Sequence, residues 1–163
     1  IENRIGILDR KLRVINENVD SKEDWVKASQ IAFKNTYAFE WQGDSLLLAR
    51  EAMLITFIEN YTHKFEKEPL LKSIQNIANI ISWNVWQMDG LKGVVPNSCT
   101  DVSKEHRDLF GNTVNEIVKC NGCKTQNILT HNGKYCKIMD WGEKDNATGS
   151  MGKAKKFIDL LNK

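Results

Sequence analysis

The sequence predicts an α/β protein, with parallel strands joined by helical crossovers and an irregular C-terminal part. Three observations carry that expectation. Over the first two thirds the residue pattern reads α, α, β, α, α, β, an alternation that favours parallel strands with right-handed connections. The two strand-like runs, Thr36-Tyr37-Ala38-Phe39-Glu40-Trp41 and Asn84-Val85-Trp86-Gln87-Met88-Asp89-Gly90-Leu91, each end on a carboxylate followed by residues that turn the chain. Finally, 163 residues with 41% hydrophobic and 27% charged content can bury the core of one domain. The expected organisation is a single domain over 1–163, divided into an α/β part over about 1–93 and an extension over about 94–163.

The elements follow in chain order. Ile5, Leu8, Leu12 and Ile15 recur at helical spacing in a charged stretch, and a second helix is expected from about Lys22 to Lys34. The period then shortens: Tyr37 to Trp41 reads as a buried strand, Gln42-Gly43 as a turn and Asp44 as the N-cap of a long helix. That helix keeps an apolar face through Leu46, Met53, Leu54, Phe57 and Tyr61 until the Lys64-to-Pro69 region interrupts it. A further helix from Leu71 to about Ile80 precedes the second strand at Trp83 to Gln87. Beyond it, Val94 to Cys99 reads as loop or short strand and Lys104 to Lys119 as a short helix or irregular stretch. Lys134 to Trp141 reads as a strand, Asn146 to Gly152 as a turn-rich loop, and Phe157 to Leu161 as a closing strand or helix.

Composition narrows the function classes. No apolar run approaches the roughly 20 residues that span a bilayer, and Ile1-Glu2-Asn3-Arg4 is unlike a secretory signal, so a cytoplasmic, membrane-free protein is expected. A net charge of +2 is too small for a generally basic nucleic-acid-binding face, so any DNA contact must come from local patches or a partner subunit. The run Lys153-Ala154-Lys155-Lys156 could touch phosphate, although such clusters are usually solvated faces. Trp25, Trp83, Trp86 and Trp141 read as core.

The strand-end acids suggest a binding site. In an open α/β sheet, ligands bind outside the carboxyl ends of the strands. An ionised carboxylate there can accept from both hydroxyls of a ribose, and a second acid can receive an exocyclic amine. Trp41 stands where it could lie against a flat base. The structural alternatives are a solvated Glu40 and an ordinary Asp89-Gly90 turn.

With these residues in view, Asn35 to Glu51, including Phe39-Glu40-Trp41-Gln42-Gly43-Asp44 and Ala49-Arg50, resembles the second characteristic segment of S-adenosylmethionine-dependent DNA N6-adenine methyltransferases. Asn84 to Leu91 resembles their third. The relatives it looks most like are methylase subunits of bacterial restriction-modification systems, with Asp9-Arg10-Lys11-Leu12, Gly149-Ser150-Met151 and Phe157 to Leu161 as further points of likeness. The resemblance implies a partial Rossmann-like methyltransferase fold. It implies S-adenosylmethionine as cofactor, with Glu40, Trp41, Met88, Asp89 and Gly90 around its adenosine part, and DNA and other restriction-modification subunits as partners. The departures are as specific: no glycine-rich cofactor turn precedes Glu40, so the chain looks truncated at its amino end. With only Pro69 and Pro96 present, the Asn/Asp-Pro-Pro-Tyr loop that holds a flipped adenine is missing. No catalytic residue is therefore assigned.

The four cysteines form a second motif. Cys120-Asn121-Gly122-Cys123 is a C-x-x-C knuckle, and Cys136 with His131 lies downstream. Tetrahedral zinc needs four such ligands, so Cys120, Cys123 and Cys136 with either His131 or Cys99 would complete a site. Free thiols in a reducing compartment are the alternative. Two functions follow: a DNA adenine methyltransferase subunit or fragment, and a non-catalytic methyltransferase-like module for assembly or DNA recognition that carries a zinc knuckle.

Overall fold

A computed structural model describes residues 6–107, 109–145 and 151–161. It is a mixed helix-and-sheet structure in which the strands, among the described residues, form three separate pairs. Four helices make up most of the first half: α1 (Ile7–Asn18), α2 (Lys22–Lys34), α3 (Gly43–Phe65) and α4 (Leu71–Asn84). Strand β1 (Ala38–Glu40) lies between α2 and α3, and β2 (Val85–Gln87) follows α4 directly. The two strands run parallel in the register Ala38–Val85, Phe39–Trp86, Glu40–Gln87, with α3 and α4 as the crossover.

The helices form where the apolar period dictates and start where a cap permits. Ser21 accepts the amide of Asp24 at 3.3 Å to open α2. The long α3 ends at Glu66, which takes the left-handed conformation at φ 52°. Their apolar stripes meet around Trp25, which is fully buried with its ring centroid 5.6 Å from Phe57, 5.3 Å from Tyr61 and 6.0 Å from Phe65. Leu12, Phe33, Ile77 and Val85 complete this core. Trp83, Trp86 and Trp141 are half-buried.

Several boundaries differ from the sequence reading. Helix α4 continues past Ile80 to Asn84 because Ile77, Ile80, Ile81 and Asn84 make one unbroken buried stripe, so β2 begins at Val85. Helix α3 starts at Gly43 with Gln42 as its cap, and Asp44 sits in the first turn, where the helix dipole favours an acid. The irregular stretch expected over Lys104 to Lys119 is an antiparallel hairpin of β3 (Val102–Arg107) and β4 (Thr113–Val118). Its β-branched residues favour extended backbone, and Gly111 at φ 82° supplies the turn.

A short helix α5 (Asn121–Thr125) and a 3-10 turn (Ile128–Thr130) follow. Strands β5 (Lys137–Lys144) and β6 (Met151–Lys156) form the last antiparallel pair, and Phe157–Leu160 is a 3-10 turn. Ile5 and most of the expected loop over Asn146 to Gly152 lie outside the described residues, whereas Gly152 belongs to β6. The basic run is therefore a strand, and Lys155 is spent on ion pairs with Asp140 and Glu143. Among the described residues no helix is long and apolar enough to cross a membrane.

Candidate functional site

The parallel register brings the two strand-end acids to one edge. Glu40 is the last residue of β1, its carbonyl accepts the Met88 amide at 2.9 Å, and Asp89 follows one residue later. The Glu40 carboxylate is fixed by its own turn: Oε1 accepts the amides of Trp41 at 2.9 Å and Gln42 at 3.2 Å. Trp41 is 47% exposed beside it. The Trp41 carbonyl accepts from Gln87 Nε2 at 2.9 Å, which ties the two strand ends together across the edge. Arg50, from the Ala-Arg pair on α3, donates to the Val85 carbonyl from Nε at 3.1 Å and Nη2 at 2.6 Å, so it holds β2 in place.

The second acid has a different environment. Asp89 is only 4% exposed. Its Oδ1 accepts the Leu91 amide at 3.0 Å, Lys92 Nζ lies 3.5 Å from Oδ2, and its carbonyl accepts the amides of Lys92 and Gly93. It thus organises the turn that leads to Val94. Met88 is buried, while Gly90 is exposed with open space where a Cβ would stand. Of the five residues expected around a cofactor, Glu40, Trp41 and Gly90 present surface to solvent, and Met88 and Asp89 are packed beneath it.

The cysteine region is more sharply defined. Cys99, Cys120, Cys123 and His131 each offer one ligand atom, and these four atoms lie within 4.8 Å of one another. His131 Nδ1 is 3.5 Å from Cys99 Sγ and 3.7 Å from the sulfurs of both Cys120 and Cys123. Such a set can hold a metal ion.

Local sequence explains the convergence. Cys99 lies three residues before β3 and Cys120 two residues after β4, so pairing Val102 with Val118 brings the two cysteines back toward each other. Gly122 lets the knuckle close on the histidine, since a Cβ there would lie 2.5 Å from His131 Cγ. Gly133 does the same for Cys99, because its Cβ would lie 2.9 Å from Sγ. Asn132 bridges the loops: its amide lies 3.3 Å from Cys120 Sγ, its Nδ2 donates to the Thr100 carbonyl at 2.7 Å, and its Oδ1 accepts the Thr100 amide.

The thiols are electrostatically unequal. Burial works to raise the Cys120 pKa but is outweighed by the amides of Asn132 and Cys123 and by His131 and Cys99, which bring it down to about 6. Burial and the neighbouring Cys120 and Cys123 sulfurs push Cys99 up to about 11. One sulfur of the cluster thus favours the thiolate that a metal requires, and it does so through N–H donors already in place.

Three of the four residues expected at a metal, Cys120, Cys123 and His131, come together here, but Cys136 does not. It lies on the segment entering β5, where its amide donates to Gly93 O at 3.1 Å and its carbonyl accepts the Phe157 amide at 2.9 Å. That backbone pairing directs the thiol onto the Gln87 carbonyl at 3.1 Å, and burial raises its pKa to about 11. Cys99 occupies the remaining position. It was legible only as an alternative ligand, because the hairpin that returns it to the knuckle was not.

Set against known proteins, the chain matches no protein-family model, no curated protein and no solved structure.

Proposed function

We propose that this chain is the cofactor-side part of an S-adenosylmethionine-dependent DNA adenine-N6 methyltransferase from a bacterial restriction-modification system. On this reading β1 and β2 belong to a Rossmann-like sheet, and the protein works in the cytoplasm with DNA and other subunits of the system. The observation that carries the reading is the register of the parallel pair, which delivers Glu40 and Asp89 to the same carboxyl edge, where nucleotide ligands bind to open α/β sheets.

The residues present suit an adenosine moiety. The turn amides pin one Glu40 oxygen, orienting the carboxylate so that its other oxygen can accept from ribose hydroxyls. Trp41 offers a half-exposed ring to a base. A carboxylate has about four acceptor sites, so Asp89, which accepts the Leu91 amide and lies 3.5 Å from Lys92 Nζ, keeps acceptor capacity for an exocyclic amine once the half-exposed Lys92 side chain moves aside. The bound cofactor would supply the methyl group; these residues only bind and orient it.

Calorimetric titration with S-adenosylhomocysteine tests the assignment. Glu40→Ala is expected to weaken binding about 10- to 100-fold, the effect of losing hydrogen bonds to a charged group. Unchanged affinity in the variant, or no binding by the parent protein, rejects it. Cofactor binding without methyl transfer would favour the non-catalytic module.

A second observation supports zinc as the metal. Zinc–sulfur and zinc–nitrogen bonds of ordinary length, set tetrahedrally, place S and N about 3.6 Å apart. The three S–N separations of 3.5, 3.7 and 3.7 Å agree with that edge. Four protein ligands leave no open position, so the ion would be structural, clamping the base of the hairpin to the α5 knuckle. Metal analysis of protein purified without chelator should give one zinc per chain; a substoichiometric content removes the assignment.

A further inference from the structure

The hairpin β3–β4 is the part of the molecule that the readings above leave without a task. All of β3 and all of β4 except Val118 are exposed, so the ribbon buries neither face against the domain. A two-stranded hairpin is marginal in water by itself. Here its ends are held at the Cys99 and Cys120 positions of the cluster. A ribbon anchored at one end and uncovered on both faces is built to be presented.

What it presents is mostly polar on one face and basic at the base. Ser103, Glu105, Arg107, Thr113, Asn115 and Ile117 share one face by register, and all but the exposed Ile117 carry hydrogen-bonding side chains. Where the other face meets the knuckle there is a cleft of about 410 Å³ walled by Lys104, Lys119, Lys124, Asn121, Thr130 and Asn132. Among the described residues that line it there is no carboxylate. Glu116 stands opposite Lys104 in the register and is the acid that competes for it. Three ammonium groups with amide and hydroxyl partners around one cleft match the chemistry of a phosphodiester backbone, even though the whole chain carries a net charge of only +2. The major groove of duplex DNA, about 12 Å wide, admits a two-stranded ribbon.

We propose that the hairpin and its basal lysine cleft form a duplex-DNA contact, with Lys104, Lys119 and Lys124 on backbone phosphates and the ribbon directed into the adjacent groove. The contact rests on the methyltransferase reading only for the choice of DNA as partner. It is assayed without cofactor, so a failure of S-adenosylhomocysteine binding and a failure of this contact are separate results.

The test is duplex binding by fluorescence anisotropy as a function of salt, on the full chain with its metal content measured in parallel. Each lysine that neutralises a phosphate contributes about 0.9 to the slope of log affinity against log salt. The double variant Lys104→Gln/Lys124→Gln is therefore expected to flatten the slope by about 1.8, with metal content unchanged. Lys104→Gln alone, away from the cysteines, should account for about half of this, and Lys124→Arg should retain the parent slope. Inorganic phosphate and a single-stranded oligonucleotide form the other arms. Slope and affinity unchanged in the double variant overturn the proposal, leaving a protein partner for the ribbon. Binding of phosphate alone, or of single strands in preference to duplex, overturns it as well.

Discussion

The helical half around Trp25 and the C-terminal part around the cysteine cluster are held by different physics. In the first, Trp25, Phe33, Phe57 and Ile77 are all fully buried, and the five aromatic side chains Trp25, Phe33, Phe57, Tyr61 and Phe65 pack against one another at tilted and edge-on angles. Apolar area removed from water stabilises this half. In the second, the hairpin is exposed and contributes little to any core. Its base adjoins the Cys99, Cys120, Cys123 and His131 cluster and the Asn132 bridge to Thr100. A projecting element with so little buried area needs an anchor other than the hydrophobic effect, and on the zinc reading proposed above the cluster would supply it.

The largest test of the contrast is to remove one cluster ligand and compare it with the cysteine outside the cluster. Structural zinc in small sites supplies on the order of 10 kcal/mol of folding free energy, far more than an uncovered hairpin can generate. On the proposed zinc reading, Cys99→Ala is expected to abolish zinc retention and to strip amide protection from β3 and β4 in hydrogen exchange, while α2, α3 and α4 keep theirs. Cys136→Ala should retain full zinc content and normal hairpin protection. Equal zinc loss in the two variants would mean that Cys136 is a ligand after all, and loss of protection throughout α1 to α4 would mean that the two parts are not separately held.

The same contrast explains which elements were legible in the sequence. Helices α1 to α4 declare themselves because a buried stripe must recur at 3.6 residues, and the short parallel strands because their apolar runs end in turn-forming residues. The acids at the strand ends were legible for the same reason. The hairpin was not: with both faces exposed it has no alternation of buried and polar residues, and Lys104-Glu105-His106-Arg107 looks like a solvated helix as readily as a strand. Missing the hairpin concealed the partner of the knuckle, since only the Val102–Val118 pairing brings Cys99 to Cys120 across the intervening chain. Cys136 seemed equivalent because spacing along the chain says nothing of a thiol directed by backbone pairing onto Gln87 O.

The smallest expected effect concerns the junction between the two parts, and it falls on Asn84. This residue is fully buried at the end of α4, and its Nδ2 lies 2.9, 3.0 and 3.2 Å from the carbonyls of Phe33, Lys34 and Thr36, which closes the end of α2. Its Oδ1 accepts Trp141 Nε1 of β5 at 2.8 Å, while Lys34 Nζ stands 5.1 Å from the centre of the Trp141 ring. One amide therefore ties the helical core to the C-terminal sheet. Asn84→Ala takes the donor from the Lys34 and Thr36 carbonyls and the acceptor from the indole N–H, while the Phe33 carbonyl keeps the Thr36 amide, and should cost about 1–3 kcal/mol in a denaturation measurement. Asn84→Asp removes the donors but keeps an acceptor for Trp141, so the indole fluorescence of Trp141 should separate the two losses. A change below about 0.5 kcal/mol in Asn84→Ala, the range of ordinary surface substitutions, would show that the two parts are joined elsewhere.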